Sequence, residues 1–282
     1  MAGASMKSIK LRIKSMESTR QITKAMELVA ASKLRSAQNN AITSRPYFKE
    51  LYEAMSDIYE TSPEFASPYL KTPSGGRPLY IVIAGDRGLA GGYNNNVLRM
   101  AAEKIREEDG VVLPIGKKAI EFFRHHGTEM LTDEYGKAAE LTASDCFSIA
   151  NVLAEDFRNG KFKAIVLAYT NFVSMLSQSP ALLALLPMER QRGGGTVRRN
   201  ILYEGGSEAV FDAIVPEYIG GLIYCALCES IASEQAARRT AMDSASKNAD
   251  EIIGDLNLRF NRARQGAITQ EITEIIAGSE QS

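Results

Sequence analysis

The sequence predicts a chain of mixed class, α+β with an α/β part: a long antiparallel coiled coil of N- and C-terminal helices, with a Rossmann-like α/β domain inserted between them. Three observations predict it. Apolar residues recur at spacings of three and four towards both ends of the 282-residue chain. The middle switches to short apolar runs that alternate with amphipathic stretches, and Pro, Ser and Gly cluster where the first pattern gives way to the second. The boundaries follow: residues 1–60 for the first helix, 61–206 for the α/β domain and 207–282 for the last helix.

The first helix runs from about Ser5 to about Glu60. Met6, Ile9, Ile13 and Met16 start an apolar stripe, and Met26, Val29, Ala30, Leu34, Ala37 and Ala41 resume it after a polar patch at Ser18 to Gln21. That is a heptad-like seam with one stutter. Pro46 has no donor and crowds the preceding turn, so it is expected to bend or locally break the helix.

Ser62 to Pro78 is a boundary loop. After it, Leu79 to Ala84 is a buried-strand pattern, Val97 to Glu108 a helix, Val111 to Ile115 a strand, Lys117 to His126 and Ser144 to Arg158 helices, and Ala164 to Tyr169 a strand. This alternation predicts a small, mostly parallel sheet covered by helices. Arg190 to Arg199 is a basic, Gly-rich loop and Ile201 to Tyr203 a last short strand.

The final helix, from about Ser207 to Ala277, carries Ile214, Tyr218, Gly221, Cys225, Cys228 and Ala232, then Met242, Ala245, Ala249, Ile252, Leu256, Phe260, Ala263 and Ala267 on spacings of three and four. Pro216 lies near its start, where proline is tolerated. At about 1.5 Å per residue the two helices would be roughly 80 and 105 Å long, too long for a globular body of this mass. They pair most simply with each other, antiparallel because of the chain order. The seam is rich in Ala, Ser and Gly, which bury little area, so the outer faces are expected to be covered by another protein.

Composition narrows the function. With 45% apolar residues, 24% charged and a net charge of −1, this is a folded protein. The neutrality hides a gradient, from +4 over residues 1–60 to −6 over residues 208–282. Cys146, Cys225 and Cys228 are too few for a disulfide framework and suit a reducing compartment. The C-x-x-C of Cys225 and Cys228 has no second pair or nearby His, so two small core residues are expected. No run approaches the 18 to 20 or so apolar residues of a bilayer span, the greasiest stretch being Ala181 to Leu186. The N-terminus shows neither an apolar signal core nor an Arg/Ser-rich leader, so the mature protein is expected to start near residue 1.

Chemistry is sparse. The loop from Gly85 to Asn94 (GDRGLAGGYN) is a Gly-rich strand-to-helix turn that could cradle phosphate on backbone N–H groups, but it matches neither dinucleotide nor P-loop spacing. A nucleotide-binding α/β protein with coiled-coil arms is therefore the alternative reading. His125 and His126 point to different sides of a helix end and suit the C-terminal dipole better than a metal. Glu107-Glu108 and Asp250-Glu251 read as solvated charge. The basic stripe Lys7, Lys10, Arg12, Lys14, Arg20, Lys24, Lys33, Arg35 has no aromatic residue before Tyr47, which favours an acidic protein partner over nucleic acid.

Two stretches carry a resemblance. Ile22 to Lys33 (ITKAMELVAASK) and Asn261 to Ile275 (NRARQGAITQEITEI) resemble the terminal signatures of the gamma subunit family of F-type ATP synthase. Asp86 to Gly92 (DRGLAGG) and Ser230 to Ala237 (SIASEQAA) are similar to further motifs of that family, in the same order and spacing. The resemblance implies a long coiled coil with an α/β foot, acting as a central rotor shaft. The shaft would stand inside three alpha and three beta subunits, with the foot on epsilon and the membrane c-ring, coupling ion flow to ATP synthesis or hydrolysis. It implies no catalytic site, cofactor or metal in this chain and no nucleic acid. Membrane association would be indirect, at the cytoplasmic side of the plasma membrane.

By motif, Arg264, Gln265 and Thr269 match positions that hydrogen-bond a beta loop, and Lys24, Met26 and Lys33 match positions facing beta. Asp86, Arg87, Gly88, Gly91 and Gly92 match a foot-domain interaction loop. Ala90 stands where many relatives have Cys, which argues against a thiol role there. Asp243 to Asn248 (DSASKN) lacks a basic residue common in the family, and no close dithiol insert is present, so a plant chloroplast form is not expected.

Overall fold

The structure, a computed structural model, describes residues 2–61, 66–188 and 206–279. The elements are α1 (Ala2–Thr61), β1 (Arg77–Ile83), α2 (Tyr93–Glu108), β2 (Val111–Ile115), α3 (Lys117–His125), α4 (Ala143–Arg158), β3 (Phe162–Phe172), β4 (Gln178–Leu186) and α5 (Ser207–Ser279). They form two compact units, residues 32–237 and residues 1–31 with 238–282.

The larger unit is built on a four-stranded sheet of order β2-β1-β3-β4, parallel except for the antiparallel β4. β1 is apolar on both faces because both are covered. Leu79, Ile81 and Ile83 face a core with α4, the first turns of α5 and the end of α1, through Ile149, Leu153, Phe157, Phe211, Val215, Ile219, Met55 and Ile58. Tyr80, Val82 and Ala84 face α2 and α3, through Val97, Leu98, Ala101, Ala119 and Phe123. α4 starts on a capping box: Asp145 N–H donates to Thr142 Oγ1 and Asp145 Oδ2 accepts from Thr142 N–H at 2.7 Å. The Thr142 hydroxyl, which donates to Asp145 Oδ2 at 2.7 Å, and then the Thr142 N–H hold the Asp145 carboxyl below its ordinary range.

β1, β3 and α2 are longer than the sequence patterns suggest. α2 opens at Tyr93, immediately after its N-cap Gly92. β4 was not expected at all. Its residues QSPALLALL are Gln, Ser and Pro followed by Leu and Ala, with no β-branched side chain, a poor strand composition that pairing with β3 overrides. Ile201 to Tyr203, Arg190 to Arg199 and the first residues of the boundary loop lie outside the described residues.

Two further expectations are corrected. α1 is helical through Pro46, which is exposed as is Ile42, so the carbonyl that loses its donor can be hydrated. α5 does contain a stretch long and apolar enough to cross a membrane by composition alone. Searching for unbroken apolar runs overlooks it because glutamates interrupt it; its Val215, Ile219, Ile223, Ala226 and Leu227 are core of the α/β unit.

In the smaller unit α1 and α5 run antiparallel. Arg20 Nη1 donates to Asp250 Oδ1 at 2.8 Å and the hydroxyls of Thr23 and Ser246 lie 2.7 Å apart, so each step up α1 is one step down α5. Met242, Ser246, Ala249 and Leu256 are buried along one line of α5, and Thr23, Glu27 and Ala30 along α1. The stutter disappears: from Met16 the seam continues at Thr23 and Glu27, polar residues on apolar positions, while Val29 is 56% exposed and off the seam. Small residues make the pairing close, and the hydroxyl pair satisfies what a lean seam leaves polar.

Candidate functional site

The Gly-rich loop leaves β1 at a tight corner. Ala84 N–H still donates to Ile115 O, Gly85 N–H donates to Asn94 Oδ1 at 2.9 Å, and Asn94 Nδ2 donates to Arg87 O, so the asparagine at the start of α2 closes the loop on itself. Asp86 turns inward. Its carboxylate accepts N–H groups from Ala138 (2.9 Å), Ala139 (3.2 Å) and, weakly, Lys117 (3.4 Å) at the start of α3. A fixed carboxylate thus ties the loop to the start of α3 and to the turn at Ala138 and Ala139.

Arg87 and Gly88 stay exposed at the loop tip, with Gly91 at φ +56° and Gly92 capping α2. Leu89, inside the motif but not among its named site residues, is 65% exposed at φ +62°, a left-handed conformation unfavourable for a leucine. The loop is thus a braced base (Asp86, Asn94) carrying a projecting tip (Arg87, Gly88, Leu89), the build of a contact loop.

The second candidate surface is in the helical pair. Arg264, Gln265 and Thr269 are all exposed; Gln265 and Thr269 share one face of α5, with Thr269 Oγ1 donating to Gln265 O at 2.9 Å. In the antiparallel register the first turn of α1 is level with about residue 268, so the last turns of α5 extend past α1. There Ile268, Ile272, Ile275 and Ile276 are 48–71% exposed on one side of the helix. On α1, Leu11, Ile22 and Val29, spaced eleven and seven apart, form an outward stripe, each more than half exposed. No sequence pattern separated these stripes from the seam, because both have helical period.

Lys24 and Met26 lie about twenty residues, roughly 30 Å, from the Arg264 turn along the pair, so the two groups are separate surfaces. Lys24 is exposed but its Nζ donates to Glu27 Oε2 at 2.8 Å, with Met26 half-buried. Lys33 belongs to the larger unit and is exposed, with no ion pair among the described residues. Glu27 and Arg20–Asp250 thus neutralise part of the basic stripe, which weakens the case for a polyanion.

The cysteines and histidines offer no chemistry. Burial pushes the Cys146 thiol up to about 12 and raises Cys228 as well, the direction opposite to a reactive thiolate. His126 stacks on Phe122, its Nδ1 2.8 Å from the Phe122 carbonyl. Among the described residues no group of three or more His, Cys, Asp or Glu could hold a metal ion.

Known proteins match this arrangement. The family model described as ATP synthase covers residues 5–281. The chain is 48% identical to the "ATP synthase gamma chain" of Ruminococcus albus over 98% of each chain, and 41% identical to that of Alkaliphilus metalliredigens over 99% of each. Among solved structures, the rotor of the Euglena gracilis mitochondrial ATP synthase is similar in fold, with a TM-score of 0.63 at 17% identity over 94% of this chain and 99% of that one. A Tetrahymena thermophila mitochondrial central stalk matches with a TM-score of 0.57 over 80% of this chain and 99% of that one, at 22% identity. Matched along nearly its whole length by both the family model and these relatives, the chain belongs to the ATP synthase family as a gamma chain.

Proposed function

We propose that this chain is the central rotor shaft of an F-type ATP synthase. It stands inside the ring of three alpha and three beta subunits, meets epsilon and the c-ring through its α/β unit, and couples ion flow to sequential conformational change at the beta catalytic sites without a catalytic site of its own. One observation carries this reading: the helical pair exposes apolar stripes, Leu11, Ile22 and Val29 on α1 and Ile268, Ile272, Ile275 and Ile276 on α5, outside a seam that buries little. A monomer rarely leaves such stripes to water, and a surrounding partner would cover them.

A shaft must also differ from side to side, since only unequal contacts hold chemically identical beta subunits in different states. The basic first helix and the acidic last segment provide that difference. Arg264, Gln265 and Thr269 form the upper contact with beta, Lys24 and Met26 a lower one with an acidic loop, and Lys33, in the larger unit, a further position facing beta. The exposure of Arg264, Gln265, Thr269, Lys24 and Lys33 supports this, and such polar contacts are weak enough to be remade at each step. The loop of Asp86, Arg87, Gly88, Gly91 and Gly92 is the foot's contact loop. The bacterial origin of the similar chains supports a peripheral position at the cytoplasmic face of the plasma membrane.

Affinity purification from native membranes tests this. Alpha, beta and epsilon should return together with the tagged chain. Their absence, or micromolar ATP binding by the isolated chain, would favour the nucleotide-binding alternative.

A further inference from the structure

The last part of β3 outruns β1. The parallel pairing of the two strands ends at Val82↔Ala168, and β1 then turns away at Ala84 and Gly85, yet β3 continues to Phe172. Beyond that end, among the described residues, no strand lies beside the main chain of Thr170 on the β1 side. α5 takes the vacant place with side chains: Thr170 N–H donates to Ser230 Oγ at 3.2 Å, and Ser233 Oγ donates to Thr170 O at 3.2 Å. All three residues are at least 97% buried. The two hydroxyls thus imitate the donor and acceptor of a neighbouring strand.

Glu234 extends the contact to β1. It lies on the same side of α5 and is 7% exposed, and its carboxyl sits against Gly85 so closely that a Cβ there would be 2.8 Å away. Ser230, Ser233 and Glu234, spaced three and one apart, therefore engage the C-terminal ends of both central strands from a single turn of the helix.

We infer that Ser230 and Ser233 are positioning residues that lock α5 against turning on the sheet, so that torque applied to the α/β unit enters the long helix without slip. This rests on the reading of the chain as a rotor. Apolar packing of Val215, Ile219, Ile223 and Leu227 holds the helix to the sheet but has no preferred direction. Hydrogen bonds do, and they weaken steeply when misaligned. Both bonds end on one residue of β3, so rotation of α5 about its own axis by a single residue position breaks the two together. Thr170 Oγ1 takes no part: it is buried and has no hydrogen-bond partner among the described residues.

The experiment uses the whole ATP synthase reconstituted in vesicles, with ATP hydrolysis and ATP-driven ion uptake measured on the same preparation. The double variant Ser230→Ala, Ser233→Ala should assemble in normal yield and keep unloaded hydrolysis within about two-fold of wild type, while ion uptake per ATP falls by about three-fold or more, since directional bonds are lost and packing is kept. Thr170→Val, which leaves the main-chain bonds intact, should match wild type in both assays. Should the double variant not assemble, Ser230→Ala and Ser233→Ala singly should each lower the uptake ratio by a smaller factor. An unchanged ratio, or an equal fall in Thr170→Val, overturns the inference. A wild-type complex whose coupled hydrolysis does not need this chain would instead overturn the rotor reading, leaving the two failures distinct.

Discussion

Thr23 of α1 and Ser246 of α5 place their hydroxyls 2.7 Å apart inside the helical pair, on seam positions that a coiled coil normally fills with apolar side chains. Thr23 Oγ1 also donates to Arg20 O at 3.0 Å, so Ser246 is the donor across the seam. A buried polar pair of this kind fixes register, because sliding either helix leaves a hydroxyl unpaired. Thr23→Val should cost about 1–2 kcal/mol by stranding Ser246, and adding Ser246→Ala should recover about half of that. Urea unfolding of the four chains of the cycle measures it; strictly additive costs would show that the pair is not coupled.

The helix pairing and the strand–helix alternation were legible in the sequence because hydrophobic period is visible residue by residue. Val111–Ile115 has the boundaries its pattern implied, whereas β4 did not show because tertiary pairing alone makes QSPALLALL a strand. The candidate site residues rest on motif alone. Arg264, Gln265 and Thr269 have no local pattern that separates them from any solvated helical face, and Asp86 could be recognised as a brace rather than a ligand only once Lys117, Ala138 and Ala139 were seen to converge on it. Thr23 and Glu27 hid the seam for the opposite reason, being polar residues in apolar places.

The corner between the strands and the helices around the Gly-rich loop depends on glycine at one position above the others. Gly116 has φ +96°, and a Cβ there would lie 2.1 Å from Ala84 O. Gly116→Ala should cost about 3 kcal/mol or more, while Gly75→Ala, with nothing within 4 Å of its Cβ, should stay within about 0.5 kcal/mol of wild type. Thermal melting of the two variants checks the contrast, and equal melting temperatures would contradict it.

Cys146 should be silent to thiol reagents. Its pKa is pushed up to about 12 by burial, above the unfolded value, so the stability it contributes is full below pH about 9 and is lost as pH rises towards 12. Labelling with a maleimide at pH 8 should modify Cys146 only after denaturation, as read by peptide mass. Rapid labelling of the native chain would show that α4 opens.

Arg264→Ala with Gln265→Ala tests the upper contact. Both side chains are exposed, so the chain should melt within a degree or two of wild type while coupled ATPase turnover in the reconstituted complex falls several-fold. Unchanged turnover would place the beta contact elsewhere.

The central claim is that the chain turns within its complex. The most direct measurement fixes the alpha–beta ring to a surface, attaches a bead to the α/β unit through an exposed position such as Lys137, and follows the bead during ATP hydrolysis. Unidirectional stepwise rotation that stops when ATP is withdrawn is the expected result. Sustained ATP hydrolysis with a stationary bead would contradict the account.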